Sequence, residues 1–355
     1  MAYRRLGDYI KEVNVRNNDL EITNPMGINI DKYFMPSVAN VIGTDLSTYK
    51  LVSKNQFACN LMHVGRDERI PMALHTEDTP IIVSPAYFVF EVIQKDILLP
   101  EYLMIWFRRP EFDRNAWFYT DADVRGGLSK EAFLDMSLPI PSIEEQRKIV
   151  AEYQAVEQRI ENNNRLIKAL EDTAQAIYHH TFVENIDPEN LPEGWRMGKL
   201  SDICIIMYGK AHQGIPNGEI PIYGSGGLMR RGNKALYNEE SVLVPRKGSL
   251  NNIMYVAHPF WTVDTMFFTK PKIKNSVKYL YYFLRQFDFL AMNIGSAVPS
   301  MTTNYLNQID ILIPPSEILD YFDNKLSVIH SNISSYQKEN SVILKTKNLL
   351  LAKLS

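Results

Sequence analysis

The chain has only two cysteines, Cys59 and Cys204, far apart in its 355 residues. Such a pair supports neither a disulfide framework nor a cysteine zinc site. No stretch reaches the roughly 18 uninterrupted apolar residues that a membrane-spanning helix needs. The opening segment, Met1 to Asp8, lacks the apolar core of a signal peptide, so a cytoplasmic location is expected. A strong charge is missing too, with 38 Lys and Arg against 41 Asp and Glu. Disorder is not expected either, since 45% of the residues are hydrophobic. Two further absences shape the reading. Neither Gly nor Pro occurs from Ser142 to Asp187, nor from Ser316 to the end.

Charge is uneven along the chain. Residues 1–141 carry 15 basic and 19 acidic side chains, and residues 142–189 carry 5 and 10. Residues 190–315 reverse the balance with 13 basic and 8 acidic, while residues 316–355 hold 5 and 4. A basic excess confined to one block is the footprint expected of a surface that meets a polyanion.

The sequence also repeats itself. Tyr3-Arg4-Arg5-Leu6-Gly7-Asp8-Tyr9-Ile10 has a counterpart in Arg196-Met197-Gly198-Lys199-Leu200-Ser201-Asp202-Ile203. Each is followed by short apolar runs punctuated by Gly and Pro, which read as strands: Ile81–Val83 and Tyr87–Phe90, then Ser241–Val244 and Met266–Phe268. An aromatic helix comes next in both copies, Glu101–Phe107 and Lys278–Leu284. Its rings are read as core, not as stacking platforms. Gly127–Pro141 then answers Ser296–Pro315, and each copy closes on one of the segments without Gly or Pro. A repeat of this length indicates duplication of a domain plus a helix, not a solenoid.

The closing segments have an apolar seam stepping alternately by four and three. The first seam includes Ile149, Tyr153, Val156, Ile160, Asn163, Ile167, Leu170, Ala174 and Ile177. The second includes Phe322, Leu326, Ile329, Ile333, Tyr336, Asn340, Ile343, Lys347, Leu350 and Leu354. A period of about 3.5 residues is the coiled-coil signature. About 40 residues at 1.5 Å rise give a rod of roughly 60 Å. Ser142 and Ser316, each after a proline, are the expected N-caps. Antiparallel pairing of Asn163 with Asn340 sets Ile149 against Leu354 and Ile177 against Leu326, every pair of numbers totalling 503. One register serves the whole length, and a polar residue in each seam opposes slippage.

With the repeat and the heptads in place, the chain resembles the specificity subunits of type I DNA restriction–modification systems. The resemblance rests on Leu191-Pro192-Glu193-Gly194-Trp195-Arg196 followed by Leu200–Ile203, and on Pro221-Ile222-Tyr223-Gly224-Ser225-Gly226-Gly227. Gly295-Ser296-Ala297-Val298-Pro299 and Leu138-Pro139-Ile140-Pro141-Ser142-Ile143-Glu144-Glu145-Gln146-Arg147-Lys148-Ile149 add to it. The first copy lacks the Pro-Glu-Gly-Trp lead-in and the Tyr-Gly-Ser-Gly-Gly element.

The resemblance implies a non-catalytic recognition subunit with an α+β fold. Two tandem, similar α/β target-recognition domains, each mostly antiparallel sheet, are expected at 1–141 and 188–315. A long spacer helix follows each, at 142–187 and 316–355, and the two pair as an antiparallel coiled coil in a pseudo-twofold arrangement. Each domain is expected to read half of a bipartite double-stranded DNA target. The partners implied are adenine methyltransferase subunits and a translocating endonuclease subunit, with no membrane and no cofactor or metal of the chain's own.

Candidate DNA-binding residues follow from chemistry, since Arg suits guanine, Asn suits adenine, and Lys and Arg pair with phosphates. In the second domain they are Lys210, Tyr223, Ser225, Arg230, Arg231, Lys234, Arg246 and Lys247. In the first they are Asn60, His63, Arg66, Arg69 and Arg125, a local basic loop in an otherwise acidic domain. Coiled-coil and partner contacts are expected from Ile149, Val156, Ile160, Asn163, Ile167, Leu170, Leu326, Ile333, Asn340 and Ile343. His179 and His180 read as solvated.

No constellation of residues makes an active site. Asn24-Pro25-Met26-Gly27 does not supply the Asn/Asp-Pro-Pro-Tyr/Phe motif of an adenine methyltransferase, and neither a metal-nuclease pattern nor a P-loop is present. Two alternatives remain open at this point: a coiled-coil scaffold whose globular domains bind protein, and the recognition subunit of a related phage-defence methylation system.

Overall fold

A computed structural model describes residues 3–39, 43–62, 64–120, 126–184, 186–293 and 301–354. Two compact units emerge, Met1–Asn163 with Glu339–Ser355, and Asn164–Lys338. Among the described residues no helix is long and apolar enough to cross a membrane.

In the first unit a four-stranded antiparallel sheet runs in the order Ile10–Glu12, Phe88–Val92, Gln56–Cys59, Met72–Leu74. A second sheet is ordered Phe34–Pro36, Pro25–Ile28, Ile81–Val83, Lys50–Val52, and its middle pair is parallel. The central strand Phe88–Val92 opens with three apolar residues in succession, Phe88, Val89 and Phe90, because both of its faces are covered there. Phe88, Phe90 and Val92 join Phe57 and Cys59 in the main core, under the helices. Val89 and Ala58 point the other way and meet Val52 and Val83 of the second sheet. The unit is thus layered as helices, sheet, sheet. Phe57 and Phe90 stack at 4.8 Å, with Phe107 edge-on to both. Burying each such ring contributes about 1.5–3 kcal/mol.

The second unit repeats the plan. Cys204–Tyr208, Met266–Pro271, Ser241–Pro245 and Met254–Val256 form the antiparallel sheet in that order. Gly227–Gly232, Ile220–Gly224 and Trp261–Thr262 form the other, again with one parallel pair. Alternation along the strands divides the core in the same manner. Val242, Val244 and Phe267 face the helices, while Leu243, Met266 and Phe268 meet Ile222 and Phe260.

The aromatic helices occupy matching places at Pro100–Phe107 and Val277–Leu284, and both are mostly buried. The third residue of each donates a phenolic hydrogen bond to the strand that leads into a long helix: Tyr102 to Pro139 O at 2.9 Å, Tyr279 to Leu312 O at 2.5 Å. That strand pairs with the first strand of its unit, Ser137–Pro139 with Tyr3–Arg5 and Asp310–Ile313 with Arg196–Lys199. The rings expected in the core are in the core. Among the described residues, the helix at Pro110–Phe118 in the first unit has no match in the second.

The long helices span Ile143–Phe182 and Ser316–Ala352. Ser142 caps the first, its hydroxyl accepting from Glu145 N at 3.3 Å. Ser316 is not a cap. It is the first helical residue, and the carbonyl of Pro315 takes the bonds from Ile318 and Leu319 instead. Gln146 is fully buried, and its amide accepts from Leu99 N at 2.9 Å and donates to Ile97 O and Pro141 O. One side chain of the Ile-Glu-Glu-Gln element therefore pins the helix start to its domain.

Within the first unit the seams meet as heptads require. Asn163 Nδ2 donates to Asn340 Oδ1 at 2.9 Å. Glu157 gathers Arg108 at 3.0 and 3.1 Å, Tyr33 Oη at 2.7 Å and Lys347 Nζ at 2.9 Å, joining both helices to the domain. Burial pushes the Glu157 carboxyl upward, but the facing cations and hydrogen bonds outweigh it and hold the group below its usual value. Within the second unit Ala174, Tyr178 and Phe182 pack with Leu319, Phe322 and Leu326.

Candidate nucleic-acid interface

In the second unit four strands end at one edge, where Met266–Pro271 begins: Cys204–Tyr208, Ile220–Gly224, Ser241–Pro245 and Trp261–Thr262. Their loops are tied together by backbone bonds. Lys210 N donates to Thr262 O, Val263 N to Tyr223 O, and Arg246 N to Thr265 O, all within 3.0 Å. Asn252 Nδ2 reaches Ser225 O at 2.8 Å. Gly209 is needed where it stands, because a Cβ there would lie 2.0 Å from Val263 O.

This edge gathers Lys210, Tyr223, Ser225, Arg246 and Lys247. Lys210 and Lys247 are exposed. Tyr223 Oη lies 3.3 Å from His258 Nε2. Arg246 sits over the Tyr208 ring at 5.6 Å and touches Asp264 O at 3.3 Å. Tyr208, unremarked in the sequence, is braced edge-on by Phe267 and lies 3.3 Å from Thr303 Oγ1.

Other candidates fall elsewhere. Arg230 is half-buried and spends its guanidinium on His212 O and Ile215 O at 2.8 and 3.0 Å, latching the 209–219 loop. Arg231 donates to Glu219 O at 2.8 Å, toward the opposite end of the hairpin, and Lys234 is exposed beyond it.

In the first unit, the loop between Gln56–Cys59 and Met72–Leu74 is the topological match of the loop between Ser241–Pro245 and Met254–Val256. Asn60, Arg66 and Arg69 lie on the former, Arg246 and Lys247 on the latter. The same bond closes both loops, Leu128 N to Leu61 O and Met301 N to Arg246 O, each at 2.8 Å. The charges differ. Arg66 is held in a two-pronged pair with Asp67 at 2.7 and 2.9 Å, Arg69 lies 3.8 Å from Asp31, and Asn60 Oδ1 accepts from Met62 N. Each described arginine of that loop therefore lies beside an acid, Arg66 by Asp67 and Arg69 by Asp31. His63, Arg125 and Gly295–Pro299 lie outside the described residues. His179 and His180 are exposed, each near Glu184.

Residues 192–346, which hold this edge and most of the second long helix, match the model of the type I restriction modification DNA specificity domain. Over these residues the chain is similar to type I DNA specificity domains. The resemblance seen in the sequence is thereby borne out. The specificity subunit of the type I restriction enzyme MjaIX from Methanocaldococcus jannaschii is 26% identical over 309 residues, covering 74% of this chain and 70% of that protein. The crystal structure of a type I restriction–modification S subunit from M. genitalium shares the fold, with a TM-score of 0.67 at 15% identity over 99% of this chain and 95% of that one. The matched specificity domain begins at Pro192, yet the first unit shows the same strand order. Strand order thus extends the likeness to a unit whose sequence departs from the pattern.

Proposed function

We propose that the chain is the DNA specificity subunit of a type I restriction–modification assembly, itself without catalytic activity and working in the cytoplasm. Each unit reads one half of a bipartite duplex target through its strand-end loops. The paired helices fix the gap between the halves and carry adenine methyltransferase subunits, and a translocating endonuclease joins the same complex. Rod length then selects spacer length, since B-DNA advances about 34 Å per turn.

One observation carries the reading: two units of identical main-sheet order, each presenting a loop closed by the same backbone bond, each leading into a heptad helix. A scaffold has no need of that repetition, whereas a reader of two half-sites does. The test is selection from random duplex DNA by the chain bound to the methyltransferase of its own system. A split motif with a fixed gap is expected. A stable protein complex that enriches no sequence would replace this reading with the scaffold.

A further inference from the structure

We propose that Arg246, stacked on Tyr208, reads a guanine in one half-site, and that the other half-site lacks the equivalent contact. The inference rests on the DNA-reading function proposed above and assigns one of its specificity-determining residues.

Tyr208 and Val244 both pair with Phe267, from opposite sides, so Arg246 emerges two residues beyond the level of Tyr208 on the same sheet. Its backbone is held at both ends, the N–H by Thr265 O and the carbonyl by Met301 N, each at 2.8 Å. The guanidinium lies 5.6 Å from the ring centroid, within cation–π range. Tyr208 is a fixed platform, set against Phe267 at 5.0 Å and 72° and beside Thr303. Asp264 is exposed in the neighbouring turn, but its backbone carbonyl, not its carboxylate, meets Arg246. Among the described residues that single bond, at 3.3 Å, is the only hydrogen bond of the Arg246 side chain.

The rest of the fork is open, and among the described residues the other candidate arginines do not combine these properties. Arg66 sets its Nε and Nη2 on the Asp67 carboxylate, and Arg230 is committed to two carbonyls. Arg231 is exposed without an aromatic platform and lies away from the converged loops. A guanidinium held over a ring, with donors left free, matches O6 and N7 of guanine in the major groove. Lys210 and Lys247 flank it as point charges suited to phosphates.

The first unit offers a built-in contrast. Leu61 takes the place of Arg246 in the loop-closing bond. A leucine side chain has no donor for guanine, so this position supplies no such contact in the first unit.

The experiment is selection from random duplex DNA by the full chain with its methyltransferase partner, comparing wild type with Arg246→Gln, Arg246→Lys and Lys247→Ala. Preference for guanine at one base pair of one half-site is expected to fall about 5- to 150-fold in both Arg246 variants. The remainder of the motif and the gap should persist. Arg246→Lys keeps the charge and guards against a merely misfolded glutamine variant, with thermal melts of each as control. Lys247→Ala should weaken all sequences alike and lower the salt slope by about one. Uniform weakening by the Arg246 variants, with guanine preference intact, would make this residue a phosphate contact and overturn the inference. So would an unchanged motif. Failure of the wild type to enrich any motif would remove the DNA-reading function itself, and the inference with it.

Discussion

Asn163 on the first long helix donates its amide hydrogen to Asn340 on the second, at 2.9 Å, with Asn163 almost fully buried. The bond sits inside a seam of aliphatic residues, where an amide costs stability and opposes any slipped alignment that would set it against Ile or Leu. Arg159 and Glu339 flank it with an ion pair at 2.7 Å.

Replacing one partner breaks the bond between them. Asn163→Leu is expected to cost about 1–3 kcal/mol, read as a lower melting temperature, because the Asn340 carbonyl loses the donor that Asn163 supplies. The double change Asn163→Leu/Asn340→Leu should recover that loss. Register, not stability, is what the pair protects. With cysteines at positions 160 and 343, oxidation should cross-link the chain, whereas 160 with 350 should not. In the double-leucine background the shifted pair should begin to cross-link; unchanged patterns would deny the amides any role in register.

Glu157 joins three parts of the first unit, accepting from Arg108, Tyr33 and Lys347. Arg108 is well buried, so Glu157→Ala leaves a cation without its carboxylate. A loss of about 2–4 kcal/mol is expected, and Glu157→Gln should lose less. The carboxyl is held below its usual value in the folded chain. Its stabilisation is therefore present at neutral pH and lost as pH falls through the acid range. A urea midpoint for Glu157→Ala equal to wild type would show the cluster to be energetically idle.

These relationships explain what could be read beforehand. The heptads were legible because period and register are one-dimensional, and Asn163 and Asn340 stood out as the one asparagine in each seam. The duplication was legible through Tyr102 and Tyr279, which recur at matching points. Arg108 meeting Glu157 was not, since nothing local ties residues 49 apart in sequence. The division of each core between two sheets was hidden too, because Phe88–Phe90 is apolar on both faces and alternation says nothing there. At the interface, Arg66 and Arg230 looked available by composition. Only packing reveals that Asp67 and two loop carbonyls consume them. Tyr208 was missed because its meaning lies in Arg246, 38 positions away.

The loop of the first unit depends on two glycines in backbone contact. Gly65 N donates to Gly126 O at 2.7 Å, and a Cβ on Gly65 would lie 2.7 Å from Gly126 Cα. Backbone cannot rotate away as a side chain can, so Gly65→Ala must part the two loops. A cost of about 1–3 kcal/mol is expected. Under the proposed function the damage should be confined to one half-site: selection with this variant should blur one half of the motif and keep the other. Equal blurring of both halves would mean that the loops do not act separately.

His330 makes the second unit acid-sensitive. Its ring lies 4.6 Å from that of Tyr255, and its Nε2 is 3.1 Å from Tyr282 Oη. Burial lowers its pKa to about 4, the Lys278 ammonium adds to the effect, and Asp323 opposes it. Lys278, 3% exposed, is itself fixed between Asp323 at 2.8 Å and Glu240 at 3.4 Å, so the positive charge cannot withdraw. The unfolded chain binds a proton near pH 6.5 and the folded one only near pH 4. Protonation thus favours unfolding. The contribution of His330 is full above about pH 6.5 and falls away toward pH 4, a difference of about 3 kcal/mol. His330→Phe keeps a ring against Tyr255 and removes the titration. Its melting temperature should fall less than that of wild type between pH 6.5 and 4, although the variant starts lower for want of the Tyr282 contact. Parallel curves for the two proteins would place the acid sensitivity elsewhere.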